Sequence, residues 1–134
     1  MQITTWRSAS CRLASSLHGW AALGEVLILA REEVVAALLG LMVELSGFQP
    51  RFVQLDESAE DAIADKSLHS VLVDCDHPEF SDKLIETIRN SGARPLLFSP
   101  YRMHAEVSRL AARHGTKSFT LPTEPSIFST ILRT

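Results

Sequence analysis

The chain has little of what staples or clamps a small protein. Of its 134 residues only two are cysteines, Cys11 and Cys75, set far apart without CxxC or Cys/His spacing. That argues against a disulfide framework or a zinc site and fits a reducing cytoplasm. No apolar run approaches the roughly 18 residues that a membrane span needs, so no transmembrane segment is expected. A formal net charge of -3 gives no reason to expect nucleic-acid binding. The turn "AREEV" (residues 30–34), which follows the first strand-like run, holds no glycine or hydroxyl residue to cradle a phosphate. Flavin and nucleotide binding are disfavoured accordingly. What is present is a globular composition, 46% hydrophobic and 22% charged, with enough chain for one domain and its own core.

Charge is unevenly placed. Residues 25–82 hold 13 acids against three bases, whereas residues 83–117 hold seven bases against Glu86 and Glu106. Either the two faces are simply solvated, or the molecule is dipolar and suited to an acidic protein face or to head-to-tail packing.

Short apolar runs recur, each followed by a helix-period segment. "EVLILA" (25–30), "RFVQL" (51–55), "SVLVD" (70–74), "PLLFS" (95–99) and "SFTL" (118–121) read as strands buried on both faces. Between them, residues 32–47 open on two glutamates and close on Gly47, and 58–65 start at a capping serine. Residues 81–92 and 103–115 end at or beside glycines, and 124–132 carry Pro125 in the first turn. This alternation predicts an α/β fold: one open, doubly wound, parallel five-stranded sheet of order 2-1-3-4-5, flanked by five helices. The domain spans 25–134, behind an N-terminal extension, 1–24, expected to be helical. In such a sheet the site lies beyond the carboxyl ends of the strands, which should bring Ala30, Arg31, Asp74 and Ser99 together.

With these residues in place, the chain from 25 to 132 resembles the response-regulator receiver domain of two-component signalling. Asp74 in "DCDHP" stands where that family has its phosphorylated aspartate, with proline four positions on. Ser99 in "PLLFSP" stands at the switch Ser/Thr, and "GTKSFTLPTEP" looks like the fifth strand and the proline after it. The resemblance also exposes departures. The acidic pair that holds magnesium in receivers is replaced by Ala30 and Arg31, and the lysine before the late proline is replaced by Leu121. Magnesium needs several oxygen ligands, and phosphoryl transfer needs its charge. Asp74 is therefore expected to be the retained carboxylate of a degenerate site, neutralised by an Arg31–Asp74 ion pair, with no metal and no cofactor.

Other chemistry is weaker. Cys75 beside His77 lacks the arginine that a phosphatase-type loop would place where Ser81 stands, so Cys75 reads as a small buried thiol. Asp74, Asp76 and His77 on one tight loop rarely give convergent metal geometry, and His104 and His114 point in different directions on their helix.

The first helix is apolar all round. Val34, Leu38, Leu41 and Leu45 form one stripe, and Val35, Leu39 and Val43 another. Such a helix is covered on more than one side. Val35, Leu39 and Val43 are taken as the contact surface, covered by residues 8–22, whose Leu13, Leu17, Trp20 and Ala21 share one side, by the same helix of a second copy in a homodimer, or by both through an exchanged N-terminal helix. The extension, rich in serine and free of acids, also faintly resembles an organellar transit peptide.

The expectation is a stand-alone, non-enzymatic pseudo-receiver acting by protein–protein contact as a homodimer, with no nucleic acid and no membrane as partner. In the receiver family the face formed by the fourth helix, fifth strand and fifth helix is the usual contact surface, and here it would present Arg102, Arg109 and Arg113. The alternative is an active single-domain response regulator phosphorylated on Asp74 in a phosphorelay, with Mg2+ held by Glu32 or Asp76.

Overall fold

The computed structural model describes residues 23–64 and 67–134. The expected N-terminal helix, in residues 8–22, lies outside the described residues. Strands β1 (Glu25–Leu29), β2 (Gln49–Phe52), β3 (Leu68–Asp74), β4 (Arg94–Phe98) and β5 (Lys117–Ser118) alternate with helices α1 (Glu33–Leu45), α2 (Ala59–Ala64), α3 (Asp82–Asn90), α4 (His104–Arg113) and α5 (Pro125–Arg133). All pairings are parallel, in the order β2-β1-β3-β4-β5. The expected sheet and its five covering helices are all present. No helix among the described residues is long and apolar enough to cross a membrane.

Side-chain alternation along the central strands splits the core in two. Leu27, Leu29, Val71, Val73 and Leu97 face α2, α3 and α4, whereas Val26, Ile28, Leu72, Leu96 and Phe98 face α1 and α5. Period two thus turns each apolar run into two half-cores, which is why these strands lack polar alternation.

The helix ends follow their local chemistry. Ser81 accepts the Leu84 N–H as N-cap of α3, Ser58 accepts the Asp61 N–H at the head of α2, and Pro125 stands in the first turn of α5. Gly47, just past α1, has φ of 90°, a left-handed conformation that closes the helix without a side-chain clash.

The edge strands depart most from expectation. β2 begins two residues before "RFVQL" and contains Pro50, while Leu55 is fully exposed in a turn. A proline fits here because β2 pairs only with β1, so no second neighbour needs its missing N–H. β5 is two residues long, prolonged by the bond from Phe119 N–H to Leu97 O.

The helix α1 requires a correction. Leu39 and Val43 are completely buried within the chain, and Val35 packs against the same core. The set expected to form a contact surface is therefore the inner stripe. The outer stripe is the one in solvent: Val34, Leu38, Leu41 and Leu45 are 81%, 47%, 48% and 67% exposed.

Candidate functional site

The carboxyl ends of β1, β3 and β4 meet as the topology requires. Asp74, the last residue of β3, is 2% exposed, and Ser99, just after β4, is 5% exposed. Each oxygen of the Asp74 carboxylate accepts a backbone N–H: Oδ2 from Arg31 at 3.1 Å and Oδ1 from Asp76 at 2.9 Å. The expected Arg31–Asp74 ion pair is not what joins these residues. Arg31 reaches the carboxylate through its main chain, and its side chain lies at an exposed position. Burial explains the difference: two amides solvate the carboxylate in place, so the arginine keeps its hydration.

The cation of the site comes from elsewhere. Arg102, in the loop before α4, directs Nε and Nη2 to Asp76 Oδ1, both at 3.0 Å, and Nη1 to Glu106 at 3.5 Å. The carboxylate beside it raises the Arg102 pKa further above its ordinary value. Asp76 Oδ2 accepts the Ser99 hydroxyl at 3.1 Å, and Ser99 Oγ in turn accepts the N–H groups of Tyr101 and Arg102 at 3.3 and 3.0 Å. Ser99 is thus satisfied within its own loop and by Asp76, with no bond to Asp74. Across the mouth, the Tyr101 hydroxyl donates to Glu32 Oε1 at 2.5 Å. That bond pushes the phenol pKa up, since ionisation would set two negative charges side by side.

Three further residues fall as follows. Leu121 is partly buried against the α1/α5 core, and its peptide bond to Pro122 is cis. Lys117 lies at the start of β5, where it donates to Thr134, so it does not reach the carboxyl ends of the strands. Cys75 is buried, and burial pushes its thiol up to about 11, against any nucleophilic role at neutral pH.

Sequence reasoning brought Asp74, Ser99 and Arg31 to one place and missed the partners. Tyr101 was not singled out, and Arg102 was assigned to an outer surface although it closes the site. The available signal was the "SPYR" turn after β4, which puts two long polar side chains beside the mouth of the sheet. Arg109 and Arg113 do lie exposed on α4.

No family model and no curated protein matches the chain, but solved structures do. The receiver domain of a sensor histidine kinase from Pseudomonas aeruginosa is 15% identical, with a TM-score of 0.65 over 82% of this chain and 94% of that one. A CheY-like receiver domain from Methanospirillum hungatei is 16% identical, with a TM-score of 0.65 over 84% and 92% of the two chains. A sensor protein from Polaromonas sp. is 20% identical, with a TM-score of 0.63 over 83% and 94%. The fold is that of a receiver domain.

The Pseudomonas receiver was crystallised with a magnesium ion in its active-site cleft. The residues here do not fit one. Ala30 offers no ligand, Arg102 occupies Asp76, Tyr101 occupies Glu32, and no group of three or more candidate ligands converges among the described residues.

Proposed function

We propose that this chain is a degenerate receiver-like signalling module: not phosphorylated, not an enzyme, and acting in the cytoplasm by contact with a protein of a signalling pathway, without a cofactor. One observation carries the reading. Arg102 holds Asp76 and, through it, Ser99, so a fixed guanidinium takes the place of an exchangeable cation. Phosphoryl transfer needs a nucleophilic oxygen and a cation that follows the developing charge. Here both oxygens of Asp74 accept backbone amides, and the cation is tied to the neighbouring carboxylate. The output surface consistent with this reading is α4, where exposed Arg109 and Arg113 suit an acidic partner. Leu39 and Val43 are inside, so any contact through α1 draws on the outer stripe.

The test is the intact mass of the protein after incubation with acetyl phosphate and magnesium, with Asp74→Asn as control. No phosphoryl adduct is expected. An adduct that disappears in Asp74→Asn would make this an active receiver phosphorylated on Asp74.

A further inference from the structure

The outer stripe of α1 gathers four of the exposed large apolar side chains of the described residues, and the site uses none of them. Val34, Leu38, Leu41 and Leu45 recur at spacings of four, three and four, one seam along the whole helix, and all are exposed. Seams of this period take another helix. We infer that the seam is occupied by residues 8–22 of the same chain, folded as a helix that runs parallel to α1.

Where the described chain begins supports this occupant. The Leu23 N–H donates to Gly47 O at 3.0 Å, and the Leu23 side chain lies against Gly47, just past the C-terminal end of α1. The segment that precedes Leu23 is thereby tethered at the C-terminal end of α1, from which a helix of those residues would run along the seam. Its length suits the space: 15 residues of helix span about 22 Å, and the 13 residues of α1 about 20 Å. Its pattern suits the seam, because Leu13, Leu17 and Trp20 repeat the four-then-three spacing of Val34, Leu38 and Leu41. Its charge suits the surroundings as well. The segment carries Arg12 and no acid, and residues 32–50 carry Glu32, Glu33 and Glu44 and no base.

A second copy is the competing occupant, and two arguments place it behind. Four side chains along three turns make a small patch beside the roughly 20–30 residues a side of a standard interface. A tethered segment, by contrast, meets the seam at an effective concentration in the millimolar range without any further contact.

Both tryptophans of the chain, Trp6 and Trp20, precede residue 22, so fluorescence reads this segment alone. In the full chain carrying Trp6→Phe, Trp20 is expected to emit to the blue of its value in denaturant, at every protein concentration. Leu38→Glu with Leu41→Glu is expected to shift that emission to the red while far-UV circular dichroism keeps the fold's signature. A denatured-like emission in the native chain, or no response to the paired substitution, would overturn the inference. So would a blue shift that vanishes on dilution together with a dimer in sedimentation, which would seat a second copy on the seam. Should the glutamates unfold the domain, Leu17→Cys with Leu38→Cys in a Cys11→Ser background decides the matter. A disulfide within one chain supports docking, and its absence or a cross-link between chains refutes it.

Discussion

Asp74 lies in a place where a carboxylate survives only if its surroundings solvate it, and two backbone amides do so. Replacing it by alanine strands the N–H groups of Arg31 and Asp76 in a partly buried turn. Unmet donors cost about 1–3 kcal/mol each when fully buried. Because these are only partly buried, Asp74→Ala is expected to lose about 2 kcal/mol in urea denaturation, and Asp74→Asn, which keeps one acceptor oxygen, less. Arg102 acts in a wetter place, with its side chain 35% exposed and that of Asp76 23%. Solvent screening limits the expected loss in Arg102→Ala to about 1 kcal/mol by the same measurement. Arg102→Lys should not restore it fully, since a single ammonium cannot reproduce the Nε and Nη2 fork.

At the level of the element, α1 shows how one apolar helix divides its work. Its inner stripe completes the core between β1, β2 and α5, and its outer stripe faces solvent. Leu39→Ala is expected to cost about 2–5 kcal/mol, the usual range for a buried leucine, as read by the urea midpoint at unchanged slope. At the helix ends, polar contacts add to the apolar core that α1 and α5 share. Arg133 donates to Ser46 O at 3.1 Å, and Arg94 donates to the carbonyls of Ile131 and Leu132, which would otherwise be orphaned at the end of α5.

For the whole molecule, the titrating groups bound the pH range of full stability. Burial lowers the pKa of His69, aided by Arg94, and burial lowers that of His77, whose Nδ1 accepts the Glu79 N–H. Both histidines fold best uncharged. Their contribution is therefore complete above the ordinary value of 6.5 and is lost as pH falls through their lower folded values. Tyr101 works in the opposite direction. Its folded pKa is raised above 10.0, so its bond to Glu32 contributes below that pH and is lost as pH rises through the folded value. The expected profile, from thermal unfolding against pH, is a plateau that falls on the acid side below about 6.5 and at the alkaline end. Tyr101 is the single tyrosine, so an ultraviolet titration reads it directly. Glu32→Gln should bring its pKa back toward 10.0.

Much of this protein was legible in its residues. The apolar runs, the capping serines and the terminal glycines determined five parallel strands and five helices, because period, capping and backbone freedom are local properties. Strand order then carried Asp74, Ser99 and Arg31 to one end of the sheet. The edge strands blurred because β2 and β5, each with one neighbour, need little of the pattern that marks a central strand. Only the tertiary structure decided which stripe of α1 is core, since two apolar stripes on one helix look alike until a sheet packs on one of them. It likewise decided that the backbone of Arg31 solvates Asp74 and that Arg102 neutralises Asp76. Those partners lie 43 and 26 residues apart in the chain, and no local rule says which of several arginines an exposed loop will turn inward.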